Sequence, residues 1–213
     1  MIQSYNPVMS VRSTESKGRD SRRRKQILHA AERLLKHYGF GKTTVADIAR
    51  EANVGVGTVY LEFPSKNAIV AELSVQRYQC VLDAMRSAAQ GQGSVADRLC
   101  AMFEARITRM AAFASEGQHG RDLLRCLCPA TQEAEATFRA DEEHLVAEFL
   151  TRALHKGQLA VAEPVEIARI LLKFYDSYST ATSTADRDRE LSLAHRLILF
   201  GLLPRDQIPR DQK

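Results

Sequence analysis

The chain is 213 residues long, 45% hydrophobic and 26% charged, with a formal net charge of +4. That is the mixture of a soluble protein with enough apolar material for a core. No apolar run approaches the ~18 residues that span a bilayer, and the polar first twenty residues lack the apolar stretch of a secretory signal. The expected location is the cytoplasm, with no membrane partner. Cys80, Cys100, Cys126 and Cys128 show no metal-ligand spacing, so they read as packed thiols and neither a metal nor a cofactor is expected. The phosphate-binding G-x-x-x-x-G-K-[ST], the nucleophile motif G-x-S-x-G and the zinc motif H-E-x-x-H are all missing, so the expectation is not an enzyme. Charge is unevenly placed. Residues 1–66 hold 12 Lys and Arg against 6 Asp and Glu, and the remainder 18 against 20. A basic front on a mildly acidic body points to a polyanion as the partner of one region.

In chain order, residues 1–20 are polar without periodicity and read as a disordered arm. From about Ser21, Ile27, Ala30, Ala31, Leu34, Leu35 and Tyr38 recur at helical intervals, with Gly39 as a stop. Thr44 and Asp47 form a capping-box pattern that opens a short helix with Val45, Ile48, Ala49 and Ala52 on its inner face. Asn53 tolerates the left-handed conformation of a tight turn. A second short helix carries Val54, Val59, Tyr60 and Phe63 and stops at Pro64. Ser65 then caps a longer helix to about Ala89. Gly91 and Gly93 break the chain, and Ser94 and Asp97 cap a helix through Leu99, Met102, Phe103, Ile107 and Met110. After a polar break at 116–120, Pro129 suits the first turn of a long helix ending before Gly157, and Pro164 opens another. A last helix is expected over about 186–202. Strand-like alternation is absent, so the expected fold class is all-α.

Three short helices within residues 21–63, the last two joined by a tight turn, make a helix-turn-helix unit. Ala49 and Ala52 allow close crossing, and Val54 and Val59 supply the apolar wedge between the two helices. The third helix is then rigid enough to enter a major groove. The run Thr43-Thr44-Val-Ala-Asp-Ile-Ala-Arg-Glu-Ala-Asn-Val-Gly-Val-Gly-Thr-Val-Tyr-Leu-Glu-Phe-Pro-Ser-Lys66 resembles the DNA-binding domain of the tetracycline-repressor (TetR) family, over about Arg23–Leu73. Gly-Thr-Val-Tyr and Phe-Pro-Ser-Lys are its most specific segments. The rest of the chain resembles the family only in architecture, a helical sensing and dimerisation domain. The organisation expected is an arm (1–20), a helix-turn-helix domain (21–66), a helical effector-binding and dimerisation domain (67–204) and a flexible tail (205–213).

The resemblance implies a DNA-binding regulator, a ligand-responsive repressor that binds a palindromic operator as a homodimer and is released by a small molecule. The DNA-contacting residues it implies are Arg22, Arg23, Arg24, Lys25, Thr43, Thr44, Val56, Gly57, Thr58, Tyr60 and Lys66. Hydroxyls and cations there suit phosphate oxygens, and Gly57 would let the helix approach the DNA closely. Gly55 and Val56 stand where the family often carries Ser and a basic residue. Glu62 stands near a common His or other aromatic, and a carboxylate there would be repelled by phosphate.

For the body, the expected ligand-binding residues are Phe103, Arg106, Ile107, Met110, Phe113, Leu124, Phe138, Leu145, Phe149, Phe174, Tyr175 and Tyr178, with His119 and His144 as further polar groups. The expected dimerisation residues are Ile167, Ile170, Leu171, Leu193, Leu197, Ile198 and Phe200. Two alternatives stand beside this. One is a redox-sensing regulator using Cys126 and Cys128. The other is a helical enzyme built on His144 and Glu148, four residues apart on one helix.

Overall fold

The computed structural model describes residues 8–119, 129–159, 163–179, 189–193 and 195. Among them there is no strand, and seven helices carry the fold, which is all-α. They are α1 (Val8–Lys42), α2 (Val45–Glu51), α3 (Val56–Glu62), α4 (Lys66–Ala89), α5 (Val95–Ser115), α6 (Pro129–His155) and α7 (Pro164–Ser179). No helix is long and apolar enough to cross a membrane among the described residues. The chain forms two compact units. The first holds the described residues up to Leu73 together with 116–119 and 129–131, and the second holds 74–115 and the described residues from Gln132 onward.

α1 starts at Val8, well before the start expected near Ser21. The sequence between contains one glycine and no proline after Pro7, so nothing in it forbids a helical backbone. The helix leaves its regular path at Gly39, whose φ is 79°, a value glycine adopts without a Cβ penalty. α2 is opened by a complete capping box. The Asp47 amide donates to Thr44 Oγ1 (3.1 Å), and the Thr44 amide donates to Asp47 Oδ2 (3.0 Å). These bonds hold the Asp47 carboxyl below its ordinary value. The same device recurs at α5, where the Asp97 amide donates to Ser94 Oγ and the Ser94 amide to Asp97 Oδ2. At α4 the Ala68 amide donates to Ser65 Oγ (3.1 Å). α6 is closed beyond His155 by Gly157, with φ 68°, where the Gly157 and Gln158 amides donate to the carbonyls of Leu154 and Ala153. That is a C-terminal cap of the left-handed glycine type.

The first unit packs Ile27, Ala31 and Leu35 of α1 against Ile48 and Ala49 of α2, Val59 and Phe63 at α3, and Ile69 and Val70 of α4. Tyr38 falls on the same stripe of α1 but lies in the last turn before Gly39 and stays half exposed, edge-on to His37. The second unit packs α4, α5, α6 and α7 around Met85, Met102, Phe103, Phe138, Val146, Leu150, Ala168 and Tyr175. Two ring pairs stack within it, Tyr78 on Phe138 at 4.5 Å and Phe103 on Tyr175 at 4.0 Å.

Candidate functional site

The link between α2 and α3 is what aims α3. After Ala52, Asn53 adopts φ 53°. The Asn53 amide donates to the Arg50 carbonyl (3.1 Å) and the Val54 amide to the Ala49 carbonyl (2.9 Å). Asn is one of the few residues that enters this region readily. Gly55 then begins α3 in an extended conformation with no side-chain cap. Val59 is buried against α1 and α2, which fixes the inward face. At 3.6 residues per turn the opposite face must carry Gly57 and Leu61, flanked by Val56 and Tyr60. Leu61 is 87% exposed, Tyr60 53% and Val56 42%. A Cβ built on Gly57 would meet nothing within 4 Å. Tyr60, read from the sequence alongside the apolar residues of this helix, therefore turns outward.

The eleven residues expected to contact DNA divide into two groups. Arg22, Lys25, Val56, Gly57 and Tyr60 face solvent, and Thr58 is half-buried on the same helix as Tyr60. The other five are engaged inside the unit. Thr43 is buried, and its hydroxyl donates to the Gly39 carbonyl (2.8 Å). Thr44 serves the capping box while staying exposed. Lys66 Nζ donates to the carbonyls of Phe40 (2.7 Å) and Thr43 (2.8 Å) and lies 3.9 Å from the Phe40 ring centre. Arg23 Nε pairs with Glu62 Oε1 at 3.2 Å. Arg24 donates to the Glu62 carbonyl (2.7 Å) and to Glu72 Oε2 (3.2 Å), with its guanidinium 4.0 Å over Phe63. Arg24 thus closes the carbonyl end of α3 while tying α1 to α4. Glu62, whose charge faces a phosphate problem on sequence grounds, is held by Arg23.

Sequence reasoning missed Leu61. The signal was available. Once Val59 is inward, a residue two places on lies about 200° round the helix.

In the body, Phe103, Ile107, Phe138, Leu145, Phe149 and Tyr175 are all buried in one core. Met110 and Phe113 pack against it from partly exposed positions, and Phe174 is 39% exposed. Leu124 and the side chain of Tyr178 lie outside the described residues. Arg106 is buried and donates to both oxygens of the fully buried Glu142 and, at 2.6 Å, to Asp176 Oδ1. Arg139 reaches the other side of Asp176 at 2.7 Å. The polar group expected to orient a ligand is thus one member of an ion cluster joining α5, α6 and α7. His144 is exposed. His119 belongs to the first unit, with its ring against Gly39. Of the expected dimerisation residues, Ile170 and Leu193 are exposed, Ile167 is half-buried, and Leu171 is buried in the core. Leu197, Ile198 and Phe200 lie outside the described residues, as do Cys126 and Cys128. Burial pushes the Cys100 thiol up to about 12, so it is protonated and unreactive at neutral pH.

Residues 27–73, the stretch containing α2, the turn and α3, match the family model described as "Bacterial regulatory proteins, tetR family". The family likeness is thus carried by the helix-turn-helix region. That region is a DNA-binding helix-turn-helix of the kind found in transcription regulators. The chain is 32% identical over 66 residues to the "Uncharacterized HTH-type transcriptional regulator YvdT" of Bacillus subtilis, covering 31% of this chain and 34% of that one. The chain therefore spans about a third of the length of that relative. It is 21% identical over 173 residues to the "Fatty acid metabolism regulator protein" of Bacillus subtilis, covering 79% of this chain and 86% of that protein. Among solved structures it is similar to the fatty acid degradation regulator FadR of Bacillus halodurans, with a TM-score of 0.63 and 21% identity over 83% of this chain and 98% of that one. That likeness runs through both units and is a likeness of fold.

Proposed function

We propose that the chain is a ligand-responsive repressor that binds a palindromic operator as a homodimer and is released by a small-molecule effector. The observation that carries the DNA-contacting face is Gly57. The fold does not need a glycine there, because its φ is ordinary and its Cβ position is open. Gly57 is the second residue of α3, where a glycine in place of alanine costs backbone entropy, at most the roughly 0.5–1 kcal/mol of a helix interior. Keeping that cost, between exposed Val56 and Tyr60 and beside Leu61, is explained by a surface outside the chain that must come close. Val56 and Leu61 supply apolar contact of the kind a thymine methyl accepts, and the Tyr60 hydroxyl suits a phosphate. Arg22 and Lys25 face solvent on α1 and supply the charge.

Gly57→Ala separates fold from function. The substitution is expected to leave the thermal stability of the free protein unchanged or raise it slightly, by at most roughly 1 kcal/mol, while weakening binding to operator duplex. Fluorescence anisotropy against duplex from around its own gene, with a scrambled duplex and a salt series, reads the second effect. Parent protein should prefer the first duplex and lose affinity steeply as salt rises. Unchanged affinity in Gly57→Ala would remove α3 from the interface.

Pairing is supported by Ile170, Phe174 and Leu193, apolar residues that remain 64%, 39% and 51% exposed. Two half-sites read by one dimer bind as a single event. Ile170→Asp should shift the chain toward monomer in sedimentation velocity and lower operator affinity, with thermal stability at high protein concentration as the fold control. A sedimentation profile equal to the parent's would exclude this face. Release by a ligand then requires unequal ligand affinity for free and DNA-bound protein.

A further inference from the structure

The second unit holds a cavity of about 520 Å³ where α4 and α6 end and α5 begins. Its walls divide by chemistry. Leu145, Phe149 and Ala153 of α6 form an apolar floor, and Arg86, Arg98, Arg152 and Lys156 surround it with four cations against the single carboxylate of Glu148. Two of these cations suit their own helices. Arg86 stands in the last turn of α4 and Arg152 in that of α6, where positive charge complements the helix dipole. Arg98 does not. It is the fourth residue of α5, at the end where a cation opposes the dipole. One of its amino groups donates to the Ala89 carbonyl at 3.3 Å, and its guanidinium lies 5.4 Å from the Phe149 ring centre. Its Nε is buried and has no hydrogen-bond partner. Carboxylates stand beside two of the other cations and leave Arg98 and Lys156 as the excess. Arg86 pairs with Asp83 at 2.9 Å, and the Arg152–Glu148 separation is 3.6 Å between exposed groups.

We propose that this cavity binds a small organic dianion with an apolar portion, such as the phosphate monoester of an alkyl alcohol. A recess with one sign of charge and low-dielectric walls concentrates the opposite charge, and guanidinium groups match phosphate oxygens in paired geometry. Four cations less the carboxylates of Glu148 and Asp83 leave an excess of two charges, which a dianion balances and a monoanion only halves. The apolar portion lies on Phe149 and Leu145, beside the head bound by Arg98, Arg152 and Lys156. The volume falls within the range that holds small ligands. This deepens the reading of the body as the effector-binding part and rests on that reading for its consequence, lowered operator affinity when the cavity is filled.

Isothermal titration of the full chain with octyl phosphate tests it, with octanol, octanoate and inorganic phosphate as controls. Octyl phosphate should bind at least about tenfold more tightly than each control, the difference that one or two charge-assisted hydrogen bonds supply. Arg98→Gln should weaken it by about tenfold or more. Lys156→Gln, at an exposed position, should weaken it less and leave the fold intact. Equal affinity for octanol and octyl phosphate, or parent-like binding in both variants, would overturn the site. Binding that both variants weaken but that leaves operator affinity unchanged would keep the site and remove its effector role. Operator release by another molecule, with no octyl phosphate binding, would overturn the site and keep the regulator.

Discussion

Glu142→Leu is expected to destabilise the body by about 3–5 kcal/mol, the range for removing one partner of a buried ion pair. Glu142 is fully buried, and Arg106 is 1% exposed, so neither charge has water to fall back on. With Glu142 gone, Asp176 remains at 2.6 Å, but it is 36% exposed and shared with Arg139. The guanidinium would keep one carboxylate where it now has two. Burial raises the Glu142 carboxyl against the opposing pull of the Arg106 hydrogen bond and charge, so desolvation is the larger effect at this site. The companion variant is Arg106→Met with Glu142→Leu. It removes both charges together and should recover most of the loss, since apolar replacement of a buried pair is often neutral. Urea unfolding followed by far-ultraviolet circular dichroism measures both. A neutral Glu142→Leu, or a double variant no better than the worse single one, would show that the pair is not coupled as the distances indicate.

That cluster also shows which features a sequence makes legible. The capping pairs Thr44–Asp47 and Ser94–Asp97 are three residues apart, and each partner can reach the other only if a helix starts between them. The turn at Asn53, the stop at Gly157 and the starts at Pro129 and Pro164 are equally local. Each is a backbone constraint carried by the residue itself. The fate of the cations is different. Arg24 meets the Glu62 carbonyl across 38 positions, and Arg106 meets Glu142 across 36. Such partners are chosen by how helices cross, and no spacing rule encodes them. Four arginines and lysines in a row read as one basic arm, yet Arg23 and Arg24 turn onto the end of α3 while Arg22 and Lys25 stay in water. The candidate DNA face is legible at Gly57 and Tyr60, whose neighbours fix the helix phase. It is not legible at Lys66, where the nearest acceptors are backbone carbonyls.

Gly117→Ala is expected to free residues 116–119 from the end of α1. The segment follows α5 in the chain but belongs to the first unit. Three contacts hold it. The His119 amide donates to the Lys36 carbonyl at 3.2 Å, Glu116 pairs with Lys36 Nζ at 2.7 Å, and the His119 ring covers Gly39. Gly117 itself has φ +71°, and a Cβ there would stand 2.6 Å from the Lys36 carbonyl oxygen. The left-handed backbone alone costs an alanine about 1–2 kcal/mol. The clash is with helix backbone, so relief must come from the segment moving away. Burial pulls the Lys36 ammonium down, but its hydrogen bonds to Glu116 and Glu32 outweigh this and hold it above its ordinary 10.5. A raised value in the folded state means a stabilising contribution present in full below the ordinary value and lost as pH rises through the raised one. Hydrogen exchange should therefore show the His119 amide losing protection in Gly117→Ala, and the variant should lose less stability than the parent when pH rises past about 10.5. Gly41→Ala is the control, since a Cβ at Gly41 meets nothing within 4 Å. Parent-like protection of the His119 amide in Gly117→Ala would mean that the close approach of Gly117 to Lys36 does not hold this segment in place.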